Sequence, residues 1–469
     1  MFERLDAQKP ALKKLIAALR ERYPYASVLA TDERYRSWHV SKNGTTISSE
    51  GDGGYGFVIR VFDDAGCAEY SINAFSEEMI PAIVREMQTR LLAARSALPE
   101  GVAPMPTAIP DDSPAVLKKE AKFEIDPMEL GDEAILDRIR RIREKGLKGE
   151  NVLDLSCYVT YSADRKLFLS EHRDLDESHM WTNAGVGAIG SRGEELKNSY
   201  KGYSLLGGAE LLREVENDVG LVVSNLNDLL NSEPMIPGEY ECVCDPEVTG
   251  MIVHEAFGHG VEMDMFVKDR AQAKQFIGEY VASPLVTMHD GSAVDECATW
   301  AFDDEGTLTG DTVVIDKGVL RRGMCDALSA ARLGVSPTGN GRRESYERKA
   351  YTRMTNTYFE GGDATKEEMI ASIPYGFLLE EPTSGMEDPK NWGIQCMVNI
   401  AREIKDGKLT GKVFSPIVLT GYVPDLLKSV SMMGGKVQLA GGGYCGKGYK
   451  EWVKVSDGGA YMKARIRLG

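Results

Sequence analysis

Apolar residues recur at helical spacing near the start of the chain, where Leu12, Leu15, Ile16 and Leu19 fall at i, i+3, i+4 and i+7. This predicts a helix opened by Pro10 and ending near Pro24. Strand-like runs follow at 25–31, 36–41 and 54–62, the last alternating Tyr55, Phe57, Ile59 and Val61 behind a glycine cluster. A second amphipathic helix, over 77–98, carries Ile80, Ile83, Met87 and Leu91 on one side. The apolar period then stops, and Pro104, Pro106, Pro110 and Pro114 mark a linker over 101–116.

The pattern restarts with a helix carrying Ile135, Leu136, Ile139 and Ile142, then strands at 151–161 and 166–172, a glycine-rich strand at 182–190 and a long helix over 208–231. Beyond Pro234 and Pro237-Gly238 come short strand runs separated by glycine turns, at 239–244, 284–289, 311–316, 413–420, 437–440 and 459–467. The predicted fold is therefore α+β: a helix-flanked antiparallel N-terminal domain over 1–100, the linker, a central α+β segment over 117–235, and a β-rich C-terminal domain over 236–469. No fixed-period repeat is present, which disfavours solenoids and propellers.

Composition narrows the function classes. With 469 residues, 42% hydrophobic and 27% charged, the chain reads as a folded globular protein, neither disordered nor a small stapled scaffold. The 55 basic residues against 72 acidic ones give a net charge of −17, and no run of Lys or Arg builds a basic face. Such a chain repels phosphate backbones and anionic lipid, so no direct nucleic-acid partner is expected. No apolar stretch approaches about 18 residues, and Met1-Phe2-Glu3-Arg4-Leu5-Asp6 lacks the basic and apolar regions of a secretion signal. A cytoplasmic location away from the membrane is expected. The eight cysteines are scattered, which points to reduced thiols, with any special one acting as ligand or nucleophile.

Candidate chemistry concentrates at His254-Glu255-Ala256-Phe257-Gly258-His259. The zinc-peptidase spacing H-E-x-x-H puts two imidazoles on one helix face with Glu beside the metal-bound water, and this segment holds one residue more. On a regular α-helix the two histidines would be offset by about 140° and could not chelate one ion. A single π-type turn over Ala256-Phe257-Gly258 would restore a common side, and Gly258 permits the distortion. Spacing alone leaves two unrelated histidines on a half-buried helix as an equal alternative. A third ligand could come from Glu262, Asp264, His289 or Cys445, the last within the glycine-rich 441–448, where a lone cysteine also reads as a small buried hydrophobe.

Other motifs are weaker. Gly185-Val186-Gly187-Ala188-Ile189-Gly190 matches G-x-G-x-x-G but is followed by no helix, which argues against a dinucleotide site. Cys242 and Cys244 share one face of a strand and read as core. Arg342 and Arg343, in the Gly-rich stretch Thr338–Tyr346, together with Arg353 and Asn356, are expected to orient an extended peptide by its carbonyls, with a solvated surface loop an equal alternative for that stretch on composition alone.

Several strings in fixed order resemble the TldD/PmbA family of metallopeptidases, once labelled modulators of DNA gyrase: Pro237-Gly238, the His254–His259 segment, Ala282-Ser283-Pro284, Asp303-Asp304-Glu305-Gly306, Thr338–Ser345, Arg353–Thr357 and Cys445-Gly446-Lys447. The chain is most similar to the TldD-type subunit, which keeps the metal motif. The resemblance implies that His254, His259 and Cys445 bind zinc and that Glu255 is the catalytic base. It further implies cleavage of unfolded or leader-type peptides inside a dimer, either of two copies or with a PmbA-type paralogue. A peptide- or partner-binding module with a structural zinc is the rival, separated from the enzyme by whether a fourth protein ligand closes the site. The chain departs from the family pattern between about Leu379 and Cys396, where the substrate path is expected to be shaped.

Overall fold

The computed structural model describes residues 3–49, 54–63, 66–97, 107, 109–447 and 451–469. Of the expected linker, 101–106 and 108, with Pro104 and Pro106, lie outside the described residues, as does Gly448 of the glycine-rich stretch. The architecture is α+β, with helices packed on an antiparallel sheet in the N-terminal half and a β-rich C-terminal half.

The first helix spans Glu3–Arg20 and buries Leu5, Leu12, Leu15, Ile16 and Leu19. It starts before the predicted opening and carries Pro10 in its interior. Pro10 faces solvent, where water can reach the carbonyl left without an N–H partner. The predicted strands 25–31 and 36–41 are one strand, Tyr25–Ser41, and 151–161 and 166–172 merge into Val152–Leu169. The apparent breaks are charges held in ion pairs: buried Asp32 with the partly exposed Arg4 at 2.6 Å, and Arg165 with Asp176, both buried, at 2.7 Å. Charges paired across a sheet interior read as gaps in a hydrophobic period.

Tyr25–Ser41 pairs with Val152–Leu169, so the stretches 1–100 and 117–235 contribute to one eight-stranded sheet. Leu12, Leu15, Phe57, Ile59 and Leu167 form one core on it, and Ile135, Ile139, Leu155, Val215 and Val219 another. The G-x-G-x-x-G run lies inside the long strand Arg173–Arg192, between two antiparallel neighbours. A Cβ at Gly185 would fall 2.3 Å from the Tyr158 ring, so glycine is required there by close packing, and this run is strand rather than a phosphate-binding loop.

In the C-terminal half, Ser456–Leu468 is the hub of an eleven-stranded sheet, pairing with Asn356–Phe359, Ile417–Tyr422, Met432–Ala440 and Gly238–Cys244. Cys242 and Cys244 are fully buried in its core. The long hairpin of Tyr375–Asp388 and Gly393–Lys405 escapes the hydrophobic pattern. Its alternation breaks at Pro382-Thr383-Ser384-Gly385, where the register shifts by a bulge between Pro382 and Ser384 and Glu381 takes a positive φ of 57°. The Glu381 carboxylate accepts hydrogen bonds from Ser199, Asn225 and Asn399, which hold the unusual backbone in place. A separate small hairpin, Tyr444–Lys447 against Glu451–Lys454, carries Cys445.

Candidate metal centre

A short α-helix, Pro246–Met251, is capped by the Asp245 side chain and passes directly into a π-helical turn, Ile252–Gly258, followed by a 3-10 turn, His259–Val261. The widened turn lies between the two histidines, as their five-residue spacing requires for a shared side. Their rings stand 5.2 Å apart at 87°. Gly258 is where the turn presses on its neighbours: a Cβ there would lie 2.4 Å from Met354 Sδ and 3.1 Å from the Val253 carbonyl.

The small hairpin brings Cys445 to this turn. Donor atoms of His254, His259 and Cys445 all lie within 4.8 Å of one another, and Cys445 Sγ is 3.4 Å from His259 Nε2. Tetrahedral zinc with sulfur at about 2.3 Å and nitrogen at about 2.1 Å needs donors about 3.6 Å apart, so this set fits the ion. Among the described residues no carboxylate joins the three donors. Burial pushes the Cys445 thiol up, but hydrogen bonds and charge from His254 and His259 outweigh it and bring it down to about 5, the thiolate form that binds metal.

The remaining candidates are engaged elsewhere. Glu262 Oε2 lies 3.1 Å from His259 Nδ1, so it acts behind the ring, fixing the tautomer that turns Nε2 toward Cys445. Glu262 is held in turn by Lys447 Nζ at 3.0 Å, and Lys447 also donates to Asp264 at 2.6 Å and to the Thr352 carbonyl. His254 Nδ1 stands 3.6 Å from Asp457 Oδ2. His289 is bound between Asp311 and Glu360 on the strand Met288–Gly291.

Glu255 projects into a cavity of about 430 Å³ that His259, Tyr351, Met386, Glu387 and Pro389 also line. Burial raises its carboxyl above the usual range. Gly385 of the long hairpin lies against it, where a Cβ would fall 2.4 Å from Glu255 Cγ. Gly385→Ala is therefore expected to displace the carboxylate and lower kcat by about tenfold or more with zinc retained, checked by paired kinetics and metal analysis. Glu387 accepts from the Gly260 N–H at 2.8 Å, and burial pushes its carboxyl up to about 8. Thus the 379–396 stretch contributes three of the cavity's walls, Met386, Glu387 and Pro389.

The four residues expected to orient substrate do not face this cavity. Arg342 donates to the carbonyls of Met354 and Lys454, and Arg343 to Glu69 and the Arg348 carbonyl. Arg353 donates to the carbonyls of Glu451 and Cys445, and Asn356 to Gly291, Val294 and Thr299. All four are buried and tie the chain to itself, and Arg353 fixes the backbone of the metal-donor hairpin directly.

Residues 237–461 match the family described as the PmbA/TldA metallopeptidase C-terminal domain. The chain belongs to the TldD/PmbA family. Within that family it is 26% identical over 456 residues to a metalloprotease of Methanothermobacter thermautotrophicus, covering 97% of both chains. It is 29% identical over 260 residues to the zinc metalloprotease TldD homolog of Saccharolobus solfataricus, covering 54% of this chain and 57% of that one. The crystal structure of TldE from Thermococcus kodakarensis shares the fold, with a TM-score of 0.75 and 17% identity over 98% of this TldD/PmbA chain and 100% of that one. Among the described residues no helix is long and apolar enough to cross a membrane.

The donor assignment has a direct check. A neutral hydroxyl is a poor zinc ligand, so Cys445→Ser is expected to lose most of its metal by elemental analysis, and full zinc occupancy in that variant would remove Cys445 from the set.

Proposed function

We propose that the chain is a zinc-dependent peptidase of the TldD type that hydrolyses unfolded or leader-type peptides in the cytoplasm, as a homodimer or with a PmbA-type paralogue. The observation that carries this reading is the three-donor set, which no fourth described residue joins, with Glu255 on the wall of the adjoining cavity. A structural zinc would be closed by four protein donors.

His254, His259 and Cys445 would hold the zinc, which would supply Lewis acidity toward water and a peptide carbonyl. Glu255 takes the proton of the attacking water and returns it to the leaving amine. Glu262 keeps the His259 ring oriented, and Arg353 keeps Cys445 in place through its carbonyl. Met386, Tyr351 and Pro389 offer apolar surface to the peptide beside the reacting bond.

A cavity of about 430 Å³ admits a few residues of extended chain and excludes a folded domain. Pairing of the substrate backbone with a strand edge would hold it with little sequence demand. One protein substrate, offered natively folded and after irreversible unfolding, is therefore expected to be cleaved much faster in the unfolded form, with Glu255→Gln as control. Equal rates would remove the extended-chain model.

A further inference from the structure

Side chains alternate along a strand, so Tyr444 and its cross-strand partner Lys454 point away from Cys445 and its partner Val453. They face a second cavity, of about 420 Å³, between the metal-donor hairpin and the N-terminal sheet. Its walls include Trp181, Trp300, Tyr444 and Trp452, and two of these rings, Tyr444 and Trp452, are about half exposed at 47% and 48%.

Two lysines enter this cavity, and their surroundings differ. Lys166 Nζ lies 4.1 Å from the centre of the Trp300 ring and also pairs with Asp304 at 2.5 Å. Lys454 Nζ lies 4.5 Å from the Trp181 ring and 4.7 Å from the Tyr444 ring, and the Asn183 amide oxygen, in the orientation that satisfies its neighbours, accepts from it at 2.6 Å. Among the described residues no carboxylate pairs with it, although it is only 8% exposed. The nearest acids are engaged elsewhere: Glu296 accepts from the Cys297 N–H, and Asp164 from Ser162 and Trp181. Burial holds the Lys454 ammonium down to about 8. A buried cation without an anion is costly, and a ligand anion would relieve that cost.

We infer that this cavity binds a carboxylate of a peptide, its C-terminal carboxylate or an Asp or Glu side chain, on the Lys454 ammonium, with the adjoining residue laid on Tyr444 and Trp452. Arg342, Arg343 and Lys166 on the same walls are taken up by two carbonyls, Glu69 and Asp304, while Asp164, Asp304 and Glu344 repel a multiply charged anion such as a phosphate, so a monoanion with an apolar body suits the one ammonium among aromatic rings that has no carboxylate. The inference rests on the peptidase reading and adds a feature of its substrate.

The test uses zinc-loaded Glu255→Gln protein and one unfolded peptide in three forms: the free acid, the C-terminal amide, and the free acid with its Glu residues replaced by Gln. Binding is followed by fluorescence anisotropy. Removal of the recognised carboxylate is expected to weaken Kd by about tenfold, and whichever substitution does so names its source. The added Lys454→Met change is expected to abolish that difference and Lys454→Arg to keep it, with zinc content confirming that both variants fold. Equal Kd for all three peptides, or an unchanged difference in Lys454→Met, would overturn the inference. Failure of the peptidase reading would show separately, as no cleavage of any unfolded chain by the zinc-loaded unmutated protein.

Discussion

Glu255→Gln is expected to keep its zinc and to lose at least about a hundredfold in kcat, the scale set by removing a general base. The reasoning begins with the π-helical turn, which places Glu255 directly after His254 yet leaves its carboxylate out of the donor set. The side chain is pinned between that turn and Gly385, and Gln is isosteric, so the substitution changes proton transfer and little else. Retained activity would refute Glu255 as base. Loss of zinc together with activity would mark it instead as a ligand.

The reach of the sequence differed between parts of this site for physical reasons. The π-turn was legible because an angular constraint left a chelating His254–His259 pair few alternatives, and the constraint is local. Cys445 was legible only through family resemblance, since nothing local distinguishes a ligand thiol from a small buried hydrophobe, and the hairpin that delivers it arrives 186 residues after His259. Arg342, Arg343, Arg353 and Asn356 bond the chain's own polar groups, which the sequence does not foretell, because a guanidinium or amide in such a stretch looks the same whether it meets a ligand or a carbonyl of the chain. The long hairpin over 375–405 was missed because its bulge erases the alternation that identifies strands, although it supplies Gly385, Met386 and Glu387 to the cavity. Glu262 was considered as a ligand, and its true position behind His259 follows from the same i, i+3 spacing that suggested it.

Lys447→Met is expected to be the most damaging change outside the donor set. Lys447 is nearly enclosed, and its ammonium bonds Glu262, Asp264 and the Thr352 carbonyl at once. Its removal leaves Glu262 buried with only Arg353, 3.9 Å away, and His259 for charge partners. Stranding one member of a buried ion cluster typically costs about 3–5 kcal/mol, which should appear as a large drop in the denaturant midpoint. The same loss frees Glu262 from its place behind His259, and disturbing such an outer partner typically lowers metal affinity about 10–100-fold. Lys447→Arg, which keeps the charge, is expected to recover part of both. A midpoint and a zinc affinity that both match the unmutated protein in Lys447→Met would show that Glu262 and Asp264 are satisfied without it, and that the hairpin holds Cys445 at the centre through Arg353 alone.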